Sequence, residues 1–468
     1  MASGTSDFGA GSDRLVNTGL FAATAVGTTT LANLGTFVNE GTMDLANGRS
    51  GDRLEMPGTT FVGGSGSVVR VDVDFATGSS DTLALGKVEG TTRLQVNDAS
   101  SGPGFDLEGI SIIESGQPLT GSEFSMDLGL AGGGLVAYDL EFDPATGRFV
   151  VKALPGSASF ELIKAAAAGQ DFWAKSGDAW AARMLAARDG AAMGMGSGNG
   201  VWLEGHAGGL DFENRGRFDL GGGIVERDMS TDSSWNGVQA GYDRIWGDDG
   251  RQSMFGVTAG HTRYELGFAG DGGRYDLDGA NLGVYGSHVT GRFFVHGLAK
   301  IDHFKGELRS SQAGLGGRIE GASYGARIDA GLRFGERLWL EPVVGASWVR
   351  TGVDDFESAL VEAEFDTATS LQTRVGVRLG GSGEVSGATL VPSLGVYAVD
   401  ERKGENRTVL WLGGQGHAAV DTPHGDYGRA EASLTLMAGN AQLFLRAGTD
   451  FGGGSEGFNA RVGLRWSW

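Results

Sequence analysis

The sequence contains no cysteine. This absence excludes a disulfide framework, thiolate metal sites and a cysteine nucleophile, and it fits a bacterial exported protein. Only 8 of the 468 residues are proline, and no stretch reaches the roughly 18–20 apolar residues of a membrane-spanning helix. A helical membrane protein is therefore excluded. A closed β-barrel is not, because its strands need only about ten alternating residues each.

Positive charge is also scarce, since 37 Lys and Arg stand against 58 Asp and Glu, for a net charge of −21. Such a chain repels phosphate backbones, so nucleic acid is disfavoured as a partner. No signal peptide is recognisable after "MASGTSDFGA". If the protein is exported, we do not expect Met1 to be its native first residue.

Glycine is abundant instead, with 85 residues. Residues 1–157 contain short apolar runs separated by Gly, Asn and Asp corners, as in "GRSGDRLEMPGTTFVGGSGSVVRVDVDF". Irregular repeats of this kind favour a right-handed β-solenoid, whose stacked rungs bury a continuous core. A β-sandwich of ordinary hairpins is the alternative interpretation.

Residues 158–190 form the one convincing helical segment, around "DFWAKSGDAWAARMLAARDG". Trp173, Trp180 and Met184 fall on one stripe at helical spacing, whereas Arg183 and Arg188 lie on other faces. Most other positions are Ala, Gly or small polar residues, so the helix is thin. It is either a surface helix that docks by its stripe or a slim helix that passes through something narrow.

Residues 191–468 form the third region. From Val201 onward its pattern becomes regular, with twelve segments of alternating apolar and polar residues. The segments are longer than the globular mode of about 5–6 residues, and their polar faces carry charges of both signs, as a plugged or wet lumen would. Aromatic residues near the segment ends suit interfacial girdles. They are Trp246, Tyr264, Trp339, Trp348, Trp411, Trp466 and Trp468.

The connections between these segments alternate in length. Long ones such as "GVDDFESALVEAEFDTATS" follow odd-numbered strands, and short ones such as "TGR" and "GER" follow even-numbered strands. Outer-membrane barrels show this asymmetry, with long outer loops and short periplasmic turns. We therefore predict an all-β chain with an N-terminal solenoid, one linker helix and a 12-stranded antiparallel transmembrane barrel. An even strand number places both barrel ends on the short-turn side, so the helix must cross the barrel.

Three stretches resemble the C-terminal part of a bacterial autotransporter of the monomeric type V class. "GLVAYDLEFDPATGRFVVKAL" is similar to the end of a passenger's autochaperone segment, the helix is similar to the translocator's α-linker, and "GFNARVGLRWSW" is similar to the C-terminal assembly signal. The resemblance implies a helix in the barrel lumen, export of the N-terminal passenger to the cell surface, and insertion by the barrel-assembly machinery with periplasmic chaperones. It also implies outer-membrane lipid as surroundings, a monomer, and no cofactor.

The resemblance carries over to individual positions. The assembly signal would comprise Phe458, Val462, Leu464, Trp466 and Trp468, the last being a departure from the usual Phe. Some members cut the passenger in the helix at paired Asn residues, which do not occur between Glu161 and Gly190. Alternation predicts a set of lumen-facing charges that could hold the helix by ion pairs: Arg327, Asp329, Arg333, Glu341, Arg374, Arg378, Arg429, Glu431, Arg446, Arg461 and Arg465.

Two features of the sequence resemble parts of known catalytic or metal sites. "GASYG" matches G-x-S-x-G around Ser323, but that motif needs a strand–turn–helix, whereas Ser323 is expected to open a barrel strand. The seven histidines lack H-x-x-x-H spacing, so a zinc site is not expected; they are residues 206, 261, 288, 296, 303, 417 and 424.

We predict a non-enzymatic translocator that passes its passenger to the surface and anchors it there. A passive porin-like barrel with a periplasmic β domain is the main alternative, and the helix argues against it because a porin needs none. The other alternative is a surface adhesin or esterase whose active part is missing.

Overall fold

The computed structural model describes residues 4–23, 26–126, 134–194, 197–220, 223–248, 250–268, 273–312, 314–421 and 425–468. Two compact units divide the chain. The first comprises Met1–Ser159 with Phe218–Val225 and Trp411–His417. The second comprises Phe160–Arg217, Glu226–Leu410 and Ala418–Trp468. Among the described residues no helix is both long enough and apolar enough to cross a membrane.

The N-terminal region consists of short strands stacked as coils. Its strands are β1 (Gly4–Asp7), β2 (Arg14–Asn17), β3 (Leu20–Ala22), β4 (Thr28–Ala32), β5 (Thr36–Asn39), β6 (Thr42–Asp44), β7 (Arg53–Gly63), β8 (Val68–Asp74), β9 (Ser79–Ser80), β10 (Thr82–Gly90), β11 (Thr92–Asp98), β12 (Asp106–Ser115), β13 (Phe124–Met126), β14 (Val136–Asp143) and β15 (Arg148–Pro155). β1, β4, β7, β10 and β12 form one parallel stack, and β3, β6, β8, β11 and β13 form another. The solenoid-like prediction is confirmed, and β14 and β15 form an antiparallel hairpin at its end.

A buried polar ladder runs from coil to coil inside this region. Asn17 donates to Asn39 at 2.7 Å, Asn39 donates to Ser67 at 2.8 Å, and the hydroxyls of Ser67 and Thr92 lie 2.8 Å apart. Each side chain satisfies the next, so the ladder avoids the cost of an unpaired buried polar group. The surrounding core is apolar and includes Phe37 and Phe61, whose rings stack with centroids 6.0 Å apart.

Two helices follow where the sequence predicts one: α1 (Ser157–Ile163) and α2 (Ala165–Ala192). The break falls at Lys164, whose backbone N–H bonds Glu161 three residues back at 3.2 Å. The Lys164 side chain is buried in an ion pair with Asp421. The sequence-based prediction of one continuous helix is therefore corrected to a short helix followed by a 28-residue one.

The second unit contains a closed antiparallel barrel of twelve strands of 12 to 18 residues, as predicted. They are β16 (Gly198–Phe212), β19 (Thr231–Asp248), β20 (Arg251–Phe268), β21 (Arg274–Thr290), β22 (Phe293–Arg309), β23 (Gly317–Leu332), β24 (Leu338–Val353), β27 (Ala368–Gly381), β29 (Ala388–Lys403), β32 (Tyr427–Ala438), β33 (Ala441–Gly452) and β34 (Ser455–Ser467). The connections contain β17 (Arg215–Asp219), β18 (Ile224–Asp228), β25 (Phe356–Glu357), β26 (Glu362–Phe365), β28 (Gly383–Val385), β30 (Asn406–Leu412) and β31 (Gln415–Asp421). The first and last barrel strands, β16 and β34, pair over thirteen residues and close the ring.

The outer face of the barrel is apolar. Leu282, Leu338, Val375 and Leu394 are between 59% and 79% exposed, whereas the alternate positions on the same strands point inward. This arrangement is the reverse of a soluble barrel and is typical of strands whose outer face meets lipid.

Candidate functional site in the barrel lumen

Helix α2 fills the interior of the barrel. Of its 28 residues, 22 are buried, on every face of the helix. The fit depends on small residues, because a Cβ added to Gly169 would lie 2.6 Å from the Phe304 ring. A helix buried all round is not a surface helix that docks by one stripe. The structure thus favours the second interpretation, a slim helix inside a narrow space.

The beginning of the helical segment is held at the end of the barrel that carries the long connections. The Glu161 carboxylate accepts hydrogen bonds from the Ser310 hydroxyl at 2.6 Å and from the Ser311 backbone at 3.2 Å. Tyr275 donates its hydroxyl to the Glu161 carbonyl at 2.9 Å. Lys164 pairs with buried Asp421 at 2.7 Å. These contacts fix the start of the helical segment to strand β21 and to two of the connections.

Midway along the helix, Ser176 meets a buried ion pair. Its hydroxyl lies 2.8 Å from Asp302, whose other oxygen is 2.6 Å from the Lys300 ammonium. Lys300 also contacts Ser176 and lies 4.6 Å from the centroid of the Trp173 ring. A fully buried pair of this kind needs every partner, because an unpaired buried charge costs several kcal/mol.

Two residues further along the helix, Asp178 is surrounded by three arginines. Arg327, Arg429 and Arg461 reach its carboxylate at 2.7, 3.2 and 3.4 Å. They come from strands β23, β32 and β34, on separate parts of the barrel wall. A single helix carboxylate therefore links wall segments that are distant in sequence.

The reverse polarity occurs at Arg183 and Arg188, where the helix supplies the cation. Arg183 donates to Asp243, which also accepts from Arg465 at 3.0 Å. Arg188 lies 2.8 Å from Glu341.

The last turn of the helix joins a shared network at the end with the short turns. Glu341, the partner of Arg188, also accepts from Arg333 and Arg378, each at 2.8 Å. Asp189, next to Arg188 on the helix, pairs with Arg333 at 2.7 Å. Both carboxylates are fully buried. Cations near a helix C-terminus also complement its dipole.

Apolar packing accompanies these ion pairs on one side. Trp180 and Met184 pack against Trp202, Met254 and Leu298 of the wall. On another side, Phe444 packs against two helix alanines, Ala182 and Ala186. The two kinds of contact enclose the helix except beside Ala174, which borders a small cavity.

All eleven charges predicted to face the lumen lie on that side of the wall, but they do not all contact the helix. Arg374 and Asp329 pair with each other at 2.6 Å, and Arg446 pairs with Glu431. Arg446 and Glu431 lie on the neighbouring strands β33 and β32, whereas the Arg374–Asp329 pair spans β24 between β27 and β23. The remaining members of the set make the helix contacts described above or support them.

Sequence reasoning missed several lumen partners. Asp243, Asp189, Asp421 and Glu161 were not singled out, although Asp243 follows the inward alternation of its strand. Two further charged residues of the helix lie against aromatic side chains of the wall. Asp171 accepts a hydrogen bond from Tyr264 at 3.0 Å, and the Lys175 ammonium lies 4.5 Å from the centroid of Trp235.

Two residues predicted for the interfacial girdles are lumenal instead. Tyr264 and Trp339 are 0% and 1% exposed. The Trp339 ring stacks under the guanidinium groups of Arg333 and Arg378, whose carbons lie 4.1 and 4.8 Å from its centroid. The prediction failed here because aromatic residues near strand ends serve the lumen as well as the lipid boundary.

Ser323 lies inside strand β23, not at its start, and its side chain points inward. It donates to the Gly169 carbonyl of the helix at 3.1 Å and lies 2.8 Å from the Thr351 hydroxyl. The strand–turn–helix of a nucleophile elbow is not present around it. Among the histidines, His424 lies outside the described residues. No group of three His, Asp or Glu residues that could hold a metal occurs within the described part of the chain.

The last strand presents its predicted signal residues outward. Phe458, Val462, Leu464, Trp466 and Trp468 are between 51% and 61% exposed. Trp468 also exchanges backbone hydrogen bonds with Asn199 at 3.0 and 3.1 Å, where the first and last strands meet.

A closed twelve-stranded barrel with an apolar outer face, plugged by the helix that precedes its own first strand, defines a class of protein: a membrane β-barrel with an N-terminal linker in its lumen. Comparison with known proteins specifies the family. The family model of the autotransporter beta-domain matches residues 212–450, more than half of the chain. The chain belongs to this family, and it is an outer-membrane translocator unit.

Individual relatives are more distant. "Autotransporter CRAC" of Citrobacter rodentium is 27% identical over 176 residues, which cover 36% of this chain and 11% of that protein. The translocator domain of autotransporter NalP from Neisseria meningitidis is 17% identical with a TM-score of 0.48, covering 64% of this chain and 99% of that one. The beta domain of the Bordetella autotransporter BrkA is 18% identical with a TM-score of 0.42, covering 56% and 99%.

Proposed function

We propose that residues 191–468 pass the N-terminal passenger of this chain to the cell surface and then anchor it there through helix α2. The observation that supports anchoring is the set of buried ion pairs between the helix and the wall. Asp178, Arg183, Arg188 and Asp189 all pair with wall residues. Removing one partner from such a pair costs about 3–5 kcal/mol, so the helix is not easily withdrawn.

The direction of the helix supports the route. Glu161 of α1, just before the start of α2, contacts Ser310 and Ser311 in a long connection, whereas the end of α2 contacts Arg333 beside a short turn. In outer-membrane barrels the long loops face the exterior. The chain before the helix would therefore emerge on the outside of the cell, as a displayed passenger requires.

We further propose the partners that the sequence implies. The exposed aromatic face of β34 would be recognised by the barrel-assembly machinery, with periplasmic chaperones before insertion. The mature protein would be a monomer surrounded by outer-membrane lipid. Its role would be transport and not catalysis, because Ser323, the residue of the one hydrolase-like motif, is buried against the helix backbone.

Surface display is tested with a secretion signal and an epitope tag placed ahead of Ser6, expressed in a Gram-negative host. Protease added to intact cells should remove the tag while the heat-modifiable barrel stays protected. The anchored tag should migrate with the barrel before proteolysis, as one chain. A tag that stays protected although the barrel is assembled would place the N-terminal region in the periplasm and favour the porin-like alternative.

A further inference from the structure

A shallow cleft of about 600 Å³ crosses the outer face of the barrel over strands β34, β16, β19 and β20. Small side chains line it, among them Gly205, Ala207 and Ala460. A Cβ added to Gly205 would meet nothing within 4 Å, so the cleft is open at this point. The neighbouring Val238 and Val462, both more than half exposed, are its apolar rims. The surface is shaped to receive an extended apolar chain.

One end of the cleft, at strands β19 and β20, is polar. Asn236 pairs in register with Arg263, and Val238 pairs with His261, so these side chains form two adjacent rows on the outer face. The side chains of His261 and Arg263 are 54% and 63% exposed. Both contact Asp278, with Arg263 at 3.4 Å. One carboxylate thus holds both side chains in place.

The height of this polar end matches the lipid headgroups. Exposed Trp246 lies near the short-turn end of β19 and Asn236 lies ten residues away on the same strand. With about 3.4 Å per residue and a tilt of about 40°, they are roughly 26 Å apart along the barrel axis. The apolar band of such barrels is about 25 Å tall. Arg263, which pairs in register with Asn236, therefore stands at the headgroup level of one leaflet, and His261, which pairs with Val238, lies just below it.

We propose that this cleft binds one phosphate-bearing glycolipid of the outer leaflet, the lipid A class. A phosphate monoester accepts a charge-assisted hydrogen bond from Arg263, whose planar guanidinium is well suited to it, and a hydrogen bond from His261. An acyl chain passes over Gly205, which pairs in register with Val238, into the apolar band below. Basic groups at headgroup height beside an apolar trough are the chemistry by which membrane proteins recognise particular lipids. The assignment to the outer leaflet rests on the proposed orientation of the barrel.

The test uses the full chain folded in detergent micelles and native mass spectrometry with purified bis-phosphorylated lipid A. We expect one retained lipid A per barrel, and at least tenfold weaker retention of fully dephosphorylated lipid A. The double variant R263Q/H261Q should lose about tenfold, and G205L, which fills the trough, about fivefold. R244Q is the matched control, because Arg244 is also exposed on the outer face but lies at the opposite end of β19. Heat-modifiable mobility verifies that each variant is folded, and A207V replaces G205L should the latter fail to fold.

Equal retention by wild type and R263Q/H261Q, or of phosphorylated and dephosphorylated lipid, would overturn the proposal in favour of non-specific annular lipid. A dimer of the wild-type chain that G205L or A207V dissociates would overturn it in favour of a second barrel as occupant. The tag-protection assay does not depend on this cleft. If the tag is exposed but lipid A is not retained, only the cleft proposal fails. If lipid A is retained but the tag is protected, only the proposed function fails.

Discussion

Arg183 of helix α2 donates two hydrogen bonds to Asp243 of strand β19, at 2.9 and 2.7 Å, and both side chains are fully buried. Asp243 is also the acceptor for Arg465 of the last strand and for the Tyr285 hydroxyl. One wall carboxylate therefore joins the plug to the strand that closes the barrel. Removing the Asp243 carboxylate should therefore affect both the helix in the lumen and the strand that closes the barrel.

We predict that Asp243→Asn destabilises the plugged barrel by about 3–5 kcal/mol, since Arg183 and Arg465 would be left as uncompensated buried cations. The expected result is a lower temperature for the heat-modifiable shift in gel mobility. Asp232→Asn, at the exposed end of the same strand, is the control and should behave like wild type. Equal transition temperatures for D243N and wild type would show that the pair is replaced by solvent at no cost.

The thinness of the helix gives a second prediction. Gly169→Val places a side chain where a Cβ already comes 2.6 Å from Phe304 Cζ, so it should destabilise the seated helix by about 1–3 kcal/mol. In planar bilayers the displaced plug should raise the low conductance of the wild-type barrel toward that of an open pore. Ala174→Val is the control on the same helix, because Ala174 borders a small lumenal cavity of about 60 Å³ and has room. Porin-sized currents from the unmodified protein would contradict the plugged lumen altogether.

The N-terminal region should respond to pH through one buried carboxyl. Asp81 is fully buried, and burial raises its pKa from 3.8 to about 7, although it accepts backbone hydrogen bonds from Asp52 and Asp72 at 2.9 and 2.8 Å. Because the folded pKa lies above the unfolded one, its contribution to stability is fully present below about pH 4 and is lost as the pH rises through 7.

Thermal unfolding of the N-terminal region, followed by circular dichroism, should accordingly give a higher Tm at pH 5 than at pH 8. Asp81→Asn should be less stable at pH 5, because its amide nitrogen cannot accept one of the two backbone N–H groups, and should show a flatter pH dependence. Asp139→Asn, an exposed position of β14, should keep the wild-type dependence. A Tm that increases from pH 5 to pH 8 in the wild type would contradict the assignment.

The final strand provides the fourth prediction. Replacing Trp466 and Trp468 with Ala should lower the amount of assembled barrel in the outer membrane at least tenfold, if their outward aromatic face is the signal for assembly. Trp246→Ala removes an exposed tryptophan from β19 and is the control, because it tests loss of an interfacial aromatic alone. The readout is the heat-modifiable fraction in outer-membrane preparations. Similar losses in both variants would mean that these residues act as lipid anchors and not as an address.

Alternation along each strand was enough to predict most of the wall. Arg327, Glu341 and Arg378 lie in the lumen because successive side chains of a strand point to opposite faces, a property of the backbone that needs no tertiary information. The helix was likewise visible as an Ala-rich periodic segment, although its break at Lys164 was not, because that break is held by Asp421, 257 residues away.

The sequence alone determined a solenoid-like region, a thin helical segment and twelve alternating strands, since these follow from local periodicity and turn residues. Only the tertiary structure decided which charges meet. Asp178 is paired with three arginines from three strands, Lys175 with an aromatic ring, and Tyr264 turns inward where an interfacial position was expected. The physical reason is that barrel closure and the rotation of the helix inside it set these contacts. Both depend on the closed ring as a whole and cannot be predicted from the sequence of any single strand.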